Sequence, residues 1–307
     1  MSTRRVELEA HSTDRGRRLD QFLSQQVAGI GRRQAALLCA QGQVRIDGHR
    51  AKKSTLLEPG AKVTVEFTVP ASLPGEPEIE LELRLERPEF VIVNKRSGMP
   101  SAPLDTSECG TLCGALLGHY PEMRGVGHRA REPGIVHRLD TQTSGLLLAA
   151  RNADAFQRLT AALDAEQLKK RYLAVVSARD LPDAGEISRP LAPDAEHPER
   201  VLVLESGEQA RYARHKLTRY RVLRRGAERA LLEVEVGSAF RHQIRAHLAA
   251  LGHPIAGDAV YGGEPVMTLG ARHALHASRI SWAGDATLAG FDVYEPLPTE
   301  LERLLDE

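Results

Sequence analysis

The most informative stretch of this sequence is HRLDTQTSG, residues 137–145, which is followed directly by LLLAA, residues 146–150. The five apolar residues predict a buried strand, so we expect the polar residues before them to lie in a turn against the core. That turn places Arg138 two residues from Asp140. A carboxylate held in this way has an unusual environment, which is typical of catalytic acids and also of structural ion pairs. The local pattern leaves both interpretations open.

The bulk composition is that of a globular protein with room for two domains. The 307 residues are 42% hydrophobic and 27% charged, and aromatic residues are scarce at 4%, so extensive base stacking on exposed rings is not expected. Three cysteines, an odd number, provide no disulfide framework and predict a reducing compartment. The N-terminus lacks an apolar signal core, and no stretch is long enough to cross a bilayer. We therefore expect a cytoplasmic protein.

Charge is unevenly distributed along the chain although its formal net charge is zero. Residues 1–70 contain twelve Lys or Arg and seven Asp or Glu, which leaves the remainder of the chain slightly acidic. A basic module attached to a neutral or acidic body is compatible with RNA binding. A surplus of this size also occurs on ordinary solvated surfaces, so charge alone does not decide between the two.

The N-terminal segment has the pattern of two short helices followed by small strands. Apolar residues recur at helical spacing over residues 19–27, and residues 32–40 predict a second helix that ends before Gly42. Residues 44–48 predict a strand entering an Asp-Gly turn, and the alternation over residues 62–67 predicts another strand.

This segment resembles the RNA-binding domain named after small-subunit ribosomal protein four. The resemblance implies contacts with RNA from five basic side chains, those of Arg32, Arg33, Arg45, Lys52 and Lys53. Two positions depart from the family pattern, because Gly31 stands where a helix-capping serine is common and Asp47 stands where asparagine is common. The loss of the serine cap weakens the second helix. A basic appendage with another use is the alternative.

The rest of the chain predicts a linker and then a domain that mixes strands and helices. Residues 70–88 contain four prolines and five glutamates, which is typical of an exposed linker. Beyond them the irregular order of strands and helices predicts an α+β domain with a mixed, largely antiparallel sheet flanked by helices. The predicted organisation is an N-terminal arm, a small helix-rich RNA-binding domain, a linker and this α+β domain, at residues 1–16, 17–70, 71–88 and 89–307.

Two further segments carry residue types that are suited to chemistry. KKRYLAVV, residues 169–176, places Tyr172 at the mouth of a predicted strand, where a half-buried strand tyrosine is the simplest interpretation. An apolar stripe predicts a helix over residues 240–251, with Arg241 and Arg245 one turn apart. An arginine there can bind a carboxylate through two hydrogen bonds.

Together these segments resemble the RluA-type RNA pseudouridine synthases. HRLDTQTSG matches their HRLDxxTSG signature, KRYLA matches Lys-x-Tyr-x-Ala, and HQIRAHL with GHPIAGDAVYG matches a third motif. The resemblance implies that Asp140 is the essential carboxylate, that Arg245 pairs with it, and that Tyr172 contacts the target base. It also implies an isomerisation, without a cofactor, in which uracil is detached from ribose, rotated and rejoined through carbon five. Whether Asp140 attacks the ribose, attacks the base or removes a ribose proton stays open.

The resemblance also suggests side chains that contact RNA during base flipping. Arg138 is the candidate for entering the stack that the flipped uridine vacates, because a guanidinium plane can stack while its nitrogens bind phosphate. Lys95 and Arg241 are further candidates for RNA contacts. The chain departs from the family where Phe240 replaces an arginine and where Arg96 replaces a proline. Either Arg241 substitutes from the adjacent position or that contact is lost.

RNA is the expected partner, with large-subunit ribosomal RNA favoured over tRNA, and we expect a monomer that binds no membrane. The twelve histidines and three cysteines show no metal-ligand spacing, and no phosphate loop or dinucleotide motif is present. Two other classes stay open. A non-catalytic RNA-binding or ribosome-assembly factor would need only the basic module. A hydrolase would need a second carboxylate, for which Asp258 is the nearest candidate, although its Gly-Asp setting predicts a turn.

Overall fold

The computed structural model describes residues 2–27, 30, 32–69, 73–104, 108–205 and 212–306. The chain divides into two compact units, Met1–Leu73 and Pro74–Glu307. Within the described ranges, no helix has the length and apolar character needed to span a membrane, and no cluster of His, Cys, Asp or Glu is arranged to hold a metal ion.

The N-terminal unit packs two helices against an antiparallel sheet. Its described elements are β1 (Ser2–Glu9), α1 (Leu19–Gln26), α2 (Arg32–Ala40), β2 (Val44–Ile46), β3 (His49–Arg50) and β4 (Lys62–Val69). The strand order is β1-β4-β2-β3. Both predicted helices are present, and Leu19, Phe22 and Leu23 of α1 lie in the core of this unit. Asp47 and Gly48 join β2 to β3 with φ angles of 49° and 83°, as the predicted Asp-Gly turn requires.

Two sequence-based boundaries of this unit differ from those of the structure. Residues 1–16 are expected to be an arm, but Ser2–Glu9 pairs along its whole length with β4. The charged sequence of that strand carries little strand signal, so its state is decided by pairing with a distant segment. The linker in the structure is also shorter than the expected residues 71–88, because the C-terminal unit begins at Pro74 and its first strand lies at Leu83–Glu86. Gly31 lies outside the described residues.

The C-terminal unit is built on one large mixed sheet. Its described elements are β5 (Leu83–Glu86), β6 (Phe90–Lys95), α3 (Leu112–His119), β7 (Ser144–Ala150), α4 (Ala153–Asp164), β8 (Lys169–Ser177), β9 (Ala184–Ile187), β10 (Pro190–Pro193), β11 (Val201–Val203), β12 (Arg214–His215), β13 (Thr218–Arg225), β14 (Arg229–Val236), α5 (Gln243–Ala250), β15 (Leu275–Gly284), β16 (Ala289–Tyr294) and α6 (Thr299–Glu302). The large sheet has the order β5-β6-β7-β15-β8-β14-β13-β9, with β16 paired to β15.

The pairing of these strands confirms the predicted α+β class. The β7–β15 pair is parallel, and the other pairs of this sheet that the structure describes are antiparallel. Every residue of β7 is buried, as the apolar run after the HRLD turn predicts. Helix α4 packs Phe156 and Leu159 into the same core, and its N-terminus is capped by Asn152, whose side chain accepts a hydrogen bond from the Ala155 amide.

The start of helix α5 differs from the predicted one. The apolar stripe predicts a helix from Phe240, but α5 begins at Gln243 because His242 adopts a left-handed conformation with φ of 56°. The side chain of Gln243 accepts a hydrogen bond from the Phe240 amide at 3.0 Å, which fixes the entry to the helix. Arg241 therefore precedes the helix, and it does not share a helical face with Arg245.

The sheet order brings the motifs together. Strand β15 lies between β7 and β8, and its first residues pair with the start of β7 on one side and with Tyr172–Ala174 of β8 on the other, so the turn before β7 and Tyr172 meet at one region of the sheet. Gly145 of β7 faces Ala277 of β15 with φ of 110°, and a Cβ atom at Gly145 would lie 2.3 Å from the Ala277 carbonyl oxygen. This glycine thus allows the parallel strands to approach next to Asp140.

We predict that Gly145→Ala lowers the free energy of unfolding by about 2–4 kcal/mol, because the new methyl group meets backbone and the φ angle is unfavourable. Gly252→Ala is the matched control, since Gly252 has φ of 90° and nothing within 4 Å of its Cβ position. The control should lose only about 1 kcal/mol. Urea denaturation of both variants measures the difference, and equal losses would contradict the close approach as the cause.

Candidate active site

The centre of the candidate site is an ion-pair network around Arg245 of α5. Its Nη1 donates to Oδ2 of Asp140 at 2.9 Å, while Nε and Nη2 donate to the two carboxylate oxygens of Asp258 at 2.6 and 2.8 Å. Arg245 is 5% exposed and Asp258 is 1% exposed, whereas the Asp140 side chain keeps 25% of its surface exposed. One buried carboxylate thus holds the arginine, which holds a second, accessible carboxylate.

Burial and charge act in opposite directions on this network. Burial acts to lower the pKa of Arg245, but the hydrogen bonds and negative charges of Asp258 and Asp140 outweigh it and raise that pKa above its ordinary value. Burial likewise acts to raise the pKa of Asp258, but the hydrogen bonds and charge of Arg245 outweigh it and lower that pKa. Asp258 is therefore ionised at neutral pH and both of its oxygens are bound.

Tyr172 of β8 lines the same small cavity as Asp140 and Arg245. The tyrosine is buried, and that burial together with the nearby Asp140 charge raises the pKa of its phenol well above the usual range. The hydroxyl therefore stays protonated at neutral pH. It can donate a hydrogen bond or present its ring to a base, but it does not serve as a proton acceptor.

His242 is a neighbour of Asp140 that the sequence reasoning did not identify. Its Nε2 lies 3.8 Å from Oδ1 of Asp140, and its Nδ1 lies 3.1 Å from the Tyr261 hydroxyl. Burial lowers the pKa of His242, so its ring is neutral at neutral pH. Tyr261 also faces the Arg245 guanidinium, 5.2 Å from its ring centroid. The signal available in the sequence was their place in the third motif, because His242 is the histidine of HQIR and Tyr261 is the tyrosine of YG.

The turn that carries Asp140 is held by hydrogen bonds from neighbouring segments. Lys95 is 1% exposed and its Nζ donates to the carbonyls of Arg96, Met99 and Thr141 at 2.9, 2.7 and 3.1 Å. Burial lowers the pKa of Lys95 to about 7, although the Asp140 charge opposes the shift. The Lys95 side chain is thus buried and bonded to the backbone of the turn that carries Asp140, an arrangement that does not favour the expected RNA contact, which stays a prediction.

The two arginines predicted to meet RNA lie near the site with different partners. Arg138 does not pair with Asp140, since its Nη1 lies 3.1 Å from Oε1 of Glu132 and half of its side chain is exposed. Arg241 is exposed and its Nη2 donates to the carbonyls of Pro198 and Arg200 at 2.8 and 2.6 Å. The geometry thus leaves Arg138 accessible and uses Arg241 to hold the segment before β11.

Two cavities share Asp140 and Arg245 in their walls. The smaller, of about 50 Å³, is also lined by Tyr172 and His242. The larger, of about 830 Å³, is also lined by Arg138. The candidate carboxylate is therefore reachable from a volume large enough for parts of more than one nucleotide.

The other basic residues predicted to bind RNA belong to the N-terminal unit. Arg45, Lys52 and Lys53 are exposed, and Arg45 donates to the Gly48 carbonyl at 3.0 Å. The side chains of Arg32 and Arg33 lie outside the described part of the chain. Exposed cations on a small module remain consistent with the predicted role, which stays a prediction.

Known families and relatives match both units. The profile described as RNA pseudouridylate synthase matches residues 89–250, and the S4 domain profile matches residues 17–63. An uncharacterized RNA pseudouridine synthase of Chloroflexus aurantiacus is 36% identical, covering 95% of this chain and 90% of the relative. Ribosomal large subunit pseudouridine synthase D of Pseudomonas aeruginosa is 30% identical, covering 94% and 91%.

Solved structures show the same fold. Human RNA Pseudouridylate Synthase Domain Containing 4 superposes with a TM-score of 0.57 at 23% identity, over 72% of this chain and 92% of the human chain. The family predicted from the three motifs is thus confirmed by sequence relatives. This chain belongs to the RNA pseudouridylate synthase family, whose members are isomerases that convert uridine in RNA to pseudouridine.

Proposed function

We propose that this protein forms pseudouridine at specific uridines of large-subunit ribosomal RNA, with Asp140 as the catalytic carboxylate. The observation that carries the proposal is the bridge of Arg245 between buried Asp258 and accessible Asp140, in a cavity that Tyr172 also lines. The name of the Pseudomonas aeruginosa relative, which places its action on the large ribosomal subunit, supports ribosomal RNA over tRNA. The cytoplasmic location and monomeric state expected from the sequence belong to the same proposal.

The network assigns separate tasks to the two oxygens of Asp140. Oδ2 is bound by Arg245, while Oδ1 lies 3.8 Å from His242, beyond hydrogen-bonding distance. Oδ1 is therefore the oxygen offered to the substrate, and Arg245 fixes its direction. The reaction breaks the bond between ribose carbon one and uracil nitrogen one, forms a bond from that ribose carbon to carbon five of the base, and removes the carbon-five proton while nitrogen one gains a proton. The enzyme must therefore hold the detached base while it turns.

Tyr172 and Arg138 complete the proposed division of roles. The protonated Tyr172 lies where it can contact the target base, which must leave the RNA stack to reach Asp140. Arg138 reaches the larger cavity with a half-exposed guanidinium, and its pairing with Glu132 is weak enough to be exchanged for phosphate or stacked bases.

The structure argues against the hydrolase alternative. A carboxylate hydrolase needs a second carboxyl group as acid or base, and Asp258 is the nearest candidate. Both Asp258 oxygens accept hydrogen bonds from Arg245, and the residue is buried. The carboxylate that would have to exchange protons is thus committed to holding the arginine.

We predict that Asp140→Asn binds RNA within about threefold of the parent affinity but forms no pseudouridine, because the amide is isosteric yet lacks the reacting charge. The measurement is the nucleoside composition of ribosomal RNA after incubation with each protein. Asp154→Asn is the matched control, since Asp154 is exposed on α4, and it should retain parent activity. Parent-like turnover by Asp140→Asn would exclude it as the catalytic carboxylate, and free uracil would indicate a hydrolase.

We predict that Arg245→Met lowers kcat at least about 100-fold. It should also lower the free energy of unfolding by about 3–5 kcal/mol, because the buried Asp258 carboxylate loses its charged partner. Arg279→Met removes an exposed ion pair with Asp292 and is the control, for which turnover should not change. Single-turnover kinetics and thermal denaturation measure the two effects. Unchanged kinetics for Arg245→Met would show that its bond to Asp140 is not used.

We predict that replacing Lys52 and Lys53 together by Gln weakens RNA affinity and reduces the dependence of log Kd on log salt, because fewer phosphate counterions are displaced. The double variant of Arg4 and Arg5 to Gln, which changes exposed residues of β1, is the control of equal charge. Salt titrations of binding to ribosomal RNA give both slopes. Identical slopes for the two double variants would contradict a specific role of Lys52 and Lys53.

The RNA target is tested by mapping pseudouridines in total RNA from cells with and without this protein. We expect that sites in large-subunit ribosomal RNA are lost when the protein is absent. Loss of sites in tRNA alone would reject the ribosomal assignment while keeping the chemistry.

A further inference from the structure

Part of the wall of the larger cavity is formed by polar groups that the proposed reaction does not use. Lys170, His137 and Thr160 line this cavity, and none of them lines the smaller one. We call these three residues the donor pocket. They lie beside apolar wall residues, among which are Phe156 and Leu163.

Lys170 is a buried cation for which the described residues provide no partner. It is 4% exposed, and no hydrogen bond or ion pair joins its ammonium to any described group. The charge of Lys216, which acts on it, is also positive and lowers its pKa further. Burial lowers the pKa of Lys170 to about 8, so most of the side chains are still charged at neutral pH. Because a buried charge is unfavourable unless it is paired, this position is suited to a ligand that accepts hydrogen bonds.

His137 adds a second hydrogen-bond donor. Its Nε2 accepts a hydrogen bond from the Leu148 amide at 3.2 Å, and burial lowers its pKa well below the usual value, so the ring is neutral and its proton is on Nδ1. Within the described chain this Nδ1 has no acceptor, and neither does the buried Oγ1 of Thr160. Three residues of one cavity wall thus carry donors without an acceptor, of which His137 Nδ1 and Thr160 Oγ1 are themselves buried within the wall, so that the Lys170 ammonium is the group on which binding depends.

The walls indicate a base rather than a phosphate as the ligand. Phe156 and Leu163 present apolar surface, and the His128 ring stands edge-on to Phe156 with centroids 5.0 Å apart. A concave apolar surface with a few directed polar groups is typical of sites that bind flat organic rings. The same cavity is also lined by the exposed Arg129, Arg138 and Arg241, which suit phosphate and leave the apolar walls to a base.

The position of Lys170 relates this pocket to the target base. Lys170 and Tyr172 are buried on the same face of β8, two residues apart, which corresponds to about 7 Å along a strand. Tyr172 is the residue proposed to contact the target uracil. The two positions are close enough for adjacent nucleotides of one strand to occupy both.

We propose that the donor pocket binds the carbonyl-bearing base of a nucleotide adjacent to the target uridine, and that the Lys170 ammonium selects this base. The inference rests on the RNA substrate proposed above and adds a determinant of which uridine is modified. Guanine offers two acceptors on one edge, O6 and N7, whereas adenine presents an amino group beside N7. The pocket therefore favours a base with a carbonyl oxygen over adenine.

Lys170→Met tests the cation with a side chain of similar length. Because it removes an unpaired buried charge, the variant should be at least as stable to heat as the parent. Its kcat/KM on an RNA fragment that carries a mapped target uridine should fall about 10- to 100-fold, as expected for a lost hydrogen bond to a charged group. Lys169→Met, on the exposed neighbour, is the control and should match the parent.

Modified RNAs decide what the pocket binds. For the parent, an abasic residue at one flanking position should lower kcat/KM at least about tenfold, and for Lys170→Met the same change should have no further effect. Adenine at that position should behave like the abasic residue. An equal loss for Lys170→Met on every RNA would overturn the proposal. A neutral methylphosphonate linkage beside the target is the second modified RNA. If the loss of kcat/KM caused by Lys170→Met disappears on this RNA and not on the abasic RNA, the pocket binds phosphate, which would also overturn the proposal.

The same experiment separates this inference from the proposed function. A parent protein that forms no pseudouridine in any RNA would contradict the proposed function, and the inference with it. An active parent together with a fully active Lys170→Met variant would overturn the donor pocket alone. A Lys170→Met variant that is less stable than the parent would show that the lysine has a structural partner, which also overturns the proposal.

Discussion

The ion-pair network of Arg245 is the interaction on which the rest of the site depends. A buried guanidinium is tolerated because two carboxylates bind it, one of them almost inaccessible to solvent. For Arg245 to bind both carboxylates, helix α5, the Gly-Asp turn at residues 257–258 and the turn before β7 must meet at one point. The sheet order, with β15 between β7 and β8, makes that meeting possible and brings Tyr172 to the same cavity.

Two buried lysines of this unit illustrate how the surroundings of a charge indicate its use. Lys95 donates to three backbone carbonyls and thereby holds the turn that carries Asp140. Lys170 has no such bonds within the described residues, although it is similarly buried. The first side chain is therefore part of the scaffold, while the second is suited to a partner that arrives with the RNA. Burial alone would not separate the two.

The departures from the family pattern at Phe240 and Arg241 have a local structural explanation. Phe240 packs against an apolar cluster that contains Leu191, Val201 and Ala246. Arg241 donates to the carbonyls of Pro198 and Arg200 just before β11, and its substitution for the missing family arginine stays a prediction. Both Phe240 and Arg241 line the larger cavity.

The sequence by itself determined the family, the α+β class and the buried strand after the HRLD turn, and it singled out Asp140, Tyr172 and Arg245, which the structure places around one cavity. Those features follow from local periodicity and from motifs of fixed spacing, which a linear sequence records directly. Tertiary structure alone decided that Ser2–Glu9 is a strand, that Lys95 is buried, and that Asp258 holds Arg245. Each depends on segments distant in the chain, whose pairing and burial have no local signal.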